Sequence, residues 1–96
     1  MSPTNKKKLN LLRIKLDKLD NVLLKLIKKR SNLVNQVLKV KIHKKEIIDQ
    51  KRINFILKKI NKKSIQHNID PKITNRIWKN MIWSFIDYEK RNFKKK

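Results

Sequence analysis

Apolar residues recur along the first part of the chain at alternating steps of three and four. Leu9, Leu12, Leu16, Leu19, Leu23 and Leu26 are followed by Arg30, Leu33, Val37 and Val40. That spacing draws one stripe along a helix. Neither Gly nor Pro interrupts the stretch from Lys6 to Lys45. The pattern therefore predicts one long helix, roughly 50 Å at 1.5 Å per residue. The rest of a 96-residue chain is too small to cover it. Its apolar face is expected to meet a second copy of the protein.

From Val40 to Ile48 the sequence is basic and loses a clear period, which predicts the frayed helix end and a loop. Asp49 is placed to cap a second helix running to about Lys63, with Ile53, Ile56, Leu57 and Ile60 on its inner side. Asp70 followed by Pro71 is a strong start signal, an acidic cap before a proline at the first helical position. The helix that follows carries Ile73, Ile77, Trp78, Met81, Ile82, Phe85 and Tyr88. No strand signal and no internal repeat stands out. The expectation is an all-α fold of three helices in a single domain, residues 1–96, with basic, frayed ends at 1–8 and 91–96.

Composition changes this picture in one respect. The chain has 28 Lys and Arg against 7 Asp and Glu, a net charge of +21. Such a balance invites a nucleic-acid or acidic-membrane reading. The chain is also rich in Lys, Ile and Asn, whose codons are A/T-rich, and it contains no Gly. Compositional drift accounts for much of the lysine as solvated helix surface. The arginines Arg13, Arg30, Arg52, Arg76 and Arg91 carry more information, because Arg grips carboxylates bidentately and Lys does not. With no Cys there is no disulfide framework. No apolar run is long enough to span a bilayer, and the basic N-terminus lacks the apolar stretch of a secretory signal. The expected setting is the cytoplasm.

Metal and nucleophile chemistry finds little support. His43 and His67 are isolated, and Ser31, Ser64 and Ser84 have no His or acid at a suggestive spacing. Arg30 is the sharper signal, since it occupies a stripe position among Leu and Val. A cation on an apolar seam needs an anion, or must reach water along its own stem. Lys41 follows eleven residues later, about three helical turns, and points within roughly 20° of Arg30 if the helix continues. The two are expected to converge on a small organic anion. Arg13 lies roughly 100° away around the same helix, so it is better placed to serve a partner chain's pocket. Glu89 follows Trp78, Ile82 and Phe85 on one helical face, where a carboxyl is expected to be partly buried. The competing reading is a carboxylate near a helix end that reaches water or a Lys.

In order and spacing these segments resemble the small all-helical, type II chorismate mutases. The resemblance is carried by Leu12-Arg13, Leu16-Asp17, Leu19-Asp20, Leu23-Leu24 through Lys29-Arg30, Leu33-Val34, Val37 and Lys41. It continues through Ile48-Asp49, Arg52, Ile69-Asp70-Pro71 and Ile77-Trp78 to Glu89. It implies an intertwined homodimer of three-helix chains that converts chorismate to prephenate for aromatic amino-acid biosynthesis, with no cofactor and no metal. Carried over, Arg30, Arg52 and the partner's Arg13 hold the substrate carboxylates. Lys41 meets a carboxylate and the ether oxygen, Asp49 the ring-hydroxyl region, and Glu89 the ether oxygen from the other side. Two positions depart from the pattern. Ile53 stands where many members have Glu, and Phe85 where many have Ser.

Three other readings remain at this stage. One is an isochorismate pyruvate lyase of the same fold. Another is a basic helical nucleic-acid-binding or scaffold protein, and a third is a relative that kept the fold without the activity. The placement of Arg30 and Lys41 on the apolar side favours a small-molecule pocket over a nucleic-acid surface. Neither nucleic acid nor membrane is expected as a partner.

Overall fold

The computed structural model describes residues 2–94. They form helices α1 (Pro3–Val40), α2 (Gln50–Gln66) and α3 (Pro71–Asn92), with a 3-10 turn at Lys44–Glu46 between α1 and α2. No strand occurs among the described residues. The all-α expectation of three helices holds. The chain divides into two units, residues 1–33 and 34–96.

The first unit is the greater part of α1. It starts earlier than the expected frayed end, because Ser2 acts as a cap ahead of Pro3. The Ser2 Oγ accepts from the Asn5 backbone N–H at 3.1 Å, and the Ser2 carbonyl accepts from Lys6 N–H at 2.9 Å. Proline suits the first helical position, where its missing N–H costs nothing. The Leu stripe remains in solvent in a single chain, with Leu12, Leu16, Leu19 and Leu23 each 54–60% exposed.

The second unit holds the apolar core. Ile47 from the loop, Ile53 from α2, and Ile82 and Ile86 from α3 form one buried cluster, flanked by Ile56, Leu57 and Phe93. Each such side chain contributes about 1.5–3 kcal/mol on burial. Asp49 and Asp70 cap α2 and α3 as expected, accepting from Arg52 N–H at 3.0 Å and Lys72 N–H at 2.9 Å. A buried polar link joins the two helices. Ser64 Oγ lies 2.6 Å from the Ile60 carbonyl, to which it donates, and 2.7 Å from Thr74 Oγ1.

Helix α2 runs three residues past the expected Lys63, to Gln66, and its closure passes through Asn68, whose φ is +56°. Asn68 N–H bonds the Ile65 carbonyl at 3.2 Å and Ile69 N–H the Ser64 carbonyl at 2.8 Å. This is the paired closure that usually takes glycine at its left-handed residue. In a chain with no Gly, Asn is the residue that tolerates the conformation best. On α3, Ile73 and Ile77 stay half exposed, while Thr74, Ile82, Ile86 and Glu89 are buried. Of the basic tail, Arg91 and Asn92 complete α3. Lys95 and Lys96 lie outside the described residues.

Candidate active site

α1 stops at Val40, so the helical arithmetic for Lys41 ends one residue short of it. Lys41 N–H instead closes a tighter bond to the Leu38 carbonyl at 3.2 Å. The chain then turns, and Glu46 holds that turn. Its Oε2 accepts from Ile42 N–H at 2.7 Å and from His43 N–H at 3.0 Å. Those two bonds, from His43 first and then Ile42, keep the Glu46 carboxyl below its ordinary value. A lone acid within a lysine run was the only sequence signal for this role. Glu46 thereby shapes the backbone directly after Lys41.

The Lys41 side chain meets Glu89 of α3, 48 positions away. Its Nζ lies 3.2 Å from both carboxylate oxygens. Glu89 is 5% exposed and the Lys41 side chain 18%. The expected partial burial of Glu89 is realised, together with its contact to a lysine. A charge-assisted contact of this kind is stronger than a neutral hydrogen bond, and it holds the ammonium at the edge of the core. Next to Glu89, the Tyr88 hydroxyl points at Asn35 Oδ1 across a long 3.5 Å. Neither Asn35 nor this contact is visible in sequence.

Asp49 and Arg52 share the N-terminus of α2, where one Asp49 oxygen is occupied by the Arg52 backbone. The Arg52 guanidinium is exposed and lies 5.5 Å from the Phe55 ring centroid, with Lys59 Nζ at 5.9 Å. Ile53, at the position of an expected Glu, is 6% exposed in the core cluster. Its side chain therefore joins α2 to α3. Phe85 is half-buried. Arg13 and Arg30 belong to the first unit, the former exposed and the latter half-buried.

Among the described residues no cluster of His, Cys, Asp and Glu is arranged to hold a metal ion. Nor, among those residues, is any helix long and apolar enough to cross a membrane. The second unit thus brings together an ammonium and a buried carboxyl, and sets an acid and an arginine at one helix start.

No curated protein and no solved structure matches the chain. The family model for chorismate mutase type II matches residues 12–90, a span that includes Arg13, Arg30, Lys41, Asp49, Arg52 and Glu89. The chain therefore belongs to the chorismate mutase type II family.

Proposed function

We propose that the protein works as a homodimer whose pocket combines Arg30, Lys41, Asp49, Arg52 and Glu89 of one chain with Arg13 of its partner. Family membership supports chorismate mutase activity, an isomerisation of chorismate to prephenate. One ether C–O bond breaks and one C–C bond forms in a single pericyclic step. The protein's tasks are to fold the enolpyruvyl arm over the ring and to stabilise charge growing on the ether oxygen. The arginines suit the first task, since each can grip a carboxylate bidentately.

The observation that carries the second task is the Lys41 ammonium, 3.2 Å from both oxygens of a buried carboxyl. In this reading Lys41 donates toward the ether oxygen from one side. Glu89 completes the contact from the other, and it does so as a donor only when protonated, because an ether oxygen accepts and never donates. Asp49 keeps one oxygen for its helix cap and offers the other to the ring hydroxyl. The exposed Leu stripe of α1 supports pairing of two chains, since apolar faces of this length rarely remain in water. The proposed setting is the cytoplasm, which cell fractionation tests.

Product identification is the direct test. Purified protein incubated with chorismate is expected to yield prephenate. With isochorismate it is expected to yield no pyruvate and salicylate. Turnover of isochorismate alone would refute the mutase reading in favour of the lyase.

A further inference from the structure

Every acid of the second unit has a partner. Asp49 and Asp70 cap helices, Glu46 holds the turn after α1, Asp87 Oδ2 pairs with Arg91 at 2.9 Å, and Glu89 pairs with Lys41. The remaining two, Asp17 and Asp20, lie on α1, exposed, with no hydrogen bond or ion pair among the described residues. In a chain of net charge +21 that is unexpected, because cations are abundant.

Helical geometry adds a direction. At 100° per residue, Arg13, Asp17 and Asp20 fall within roughly 60° of one another around α1. Leu9, Leu16 and Ile27 border this strip, which places it along one edge of the exposed Leu stripe. Lys15, Lys18, Lys25 and Lys29 lie on the other side of the helix, roughly 120–200° from Arg13. The acids thus share the edge that carries Arg13, away from most of the helix's own lysines.

Helix α2 presents the complement. It contains six cations, Lys51, Arg52, Lys58, Lys59, Lys62 and Lys63, and no acid. Phe55, 54% exposed, stands between Arg52 and Lys59. An apolar side chain edged by cations matches an apolar stripe edged by carboxylates. Two chains of charge +21 repel each other. An interface between them needs its uncommitted anions where the surfaces meet.

We propose that Asp17 and Asp20 dock α1 onto the cationic face of the partner's α2 around Phe55, and so position Arg13 for the partner's pocket. The inference rests on the pairing of chains proposed above. It goes further in assigning the acids as the charge contacts that set how the two copies engage. Asp17 and Asp20 act through Arg13 and are positioning residues, since neither touches substrate. Charge pairs of this kind impose register and orientation between helices.

The test compares the parent protein with Asp17→Asn/Asp20→Asn by analytical ultracentrifugation at low and high salt, with helicity checked by circular dichroism. The parent is expected to be dimeric. The variant, equally helical, is expected to dissociate with a constant at least tenfold higher at low salt, and this gap should narrow at high salt. At protein concentrations where both are fully paired, the variant's KM for chorismate should rise severalfold with a smaller change in kcat. Adding Lys59→Glu to an Asp17→Lys chain should recover part of the pairing that Asp17→Lys loses. A parent that is dimeric, with unchanged dissociation in the Asn variant and no recovery in the charge swap, overturns the assignment of the two acids. A monomeric parent overturns the pairing itself, and with it this inference.

Discussion

Replacing Lys41 with Met keeps most of the side-chain stem and removes the ammonium that faces Glu89. The carboxyl left behind is 5% exposed, so it loses its cation without gaining much water. Removing one partner of a fully buried ion pair costs about 3–5 kcal/mol. The Lys41 side chain is 18% exposed, so solvent reaches one side of the pair and a loss of about 2–3 kcal/mol is expected. With a urea slope of about 1–2 kcal/mol/M for a domain of this size, the unfolding midpoint should fall by about 1–3 M. Turnover of chorismate should drop about 10²–10³-fold, as when one preorganised donor to developing negative charge is lost. The double variant Lys41→Met/Glu89→Leu separates the two effects. Apolar replacement of both partners should restore most of the stability and none of the activity. Urea unfolding followed by circular dichroism at one fixed protein concentration, beside a chorismate-consumption assay, reads both quantities. If Lys41→Met unfolds at the parent midpoint, the contact contributes nothing in solution. If the double variant remains active, Lys41 is not the group that stabilises the ether oxygen.

Arg13→Ala and Arg30→Ala should each abolish turnover, since each removes charge-assisted bonds worth about 1.5–3 kcal/mol apiece. Mixing the two inactive proteins should restore part of the activity, and no recovery after confirmed subunit exchange refutes a shared pocket. Glu89→Gln supplies a donor at every pH, whereas Glu89 donates only when protonated. A folded Gln variant should therefore retain chorismate turnover at neutral pH; loss of turnover in that variant rules out donation from this position. Glu46 has a folded-state value below its ordinary one. Its contribution to stability is therefore present above the ordinary carboxylate range and lost as pH falls through the lowered value. Glu46→Gln should remove that acid-side slope, and hydrogen exchange at the amides of Ile42 and His43 should quicken; unchanged exchange would show that the turn holds without Glu46.

Much of the second unit was legible because its signals are local. Asp49 and the Asp70-Pro71 pair announce helix starts through bonds to backbone groups two or three residues away. Glu89 could be placed on the inner face of α3 from helical spacing alone, and its burial bears this out. The α2 boundary was missed because the left-handed closure fell to Asn68, whereas Gly is the residue that usually marks it. Helical spacing also places Ile53 on the inner side of α2. In the folded chain it is core, packed with Ile82 and Ile86.

The sequence by itself determined that the fold is all-α, where two of its three helices begin, and which family it resembles. Each of these follows from short-range backbone bonding, or from a residue order that survives without coordinates. The tertiary structure alone decided which charges meet. Lys41 lies beyond the end of its helix and finds Glu89 48 positions later. That pairing depends on how the Glu46-held turn redirects the chain and how α2 and α3 pack through Ile53, Ile82 and Ile86. Helical periodicity reports the direction of a side chain only while the helix continues, and it carries no information about what a different helix brings alongside.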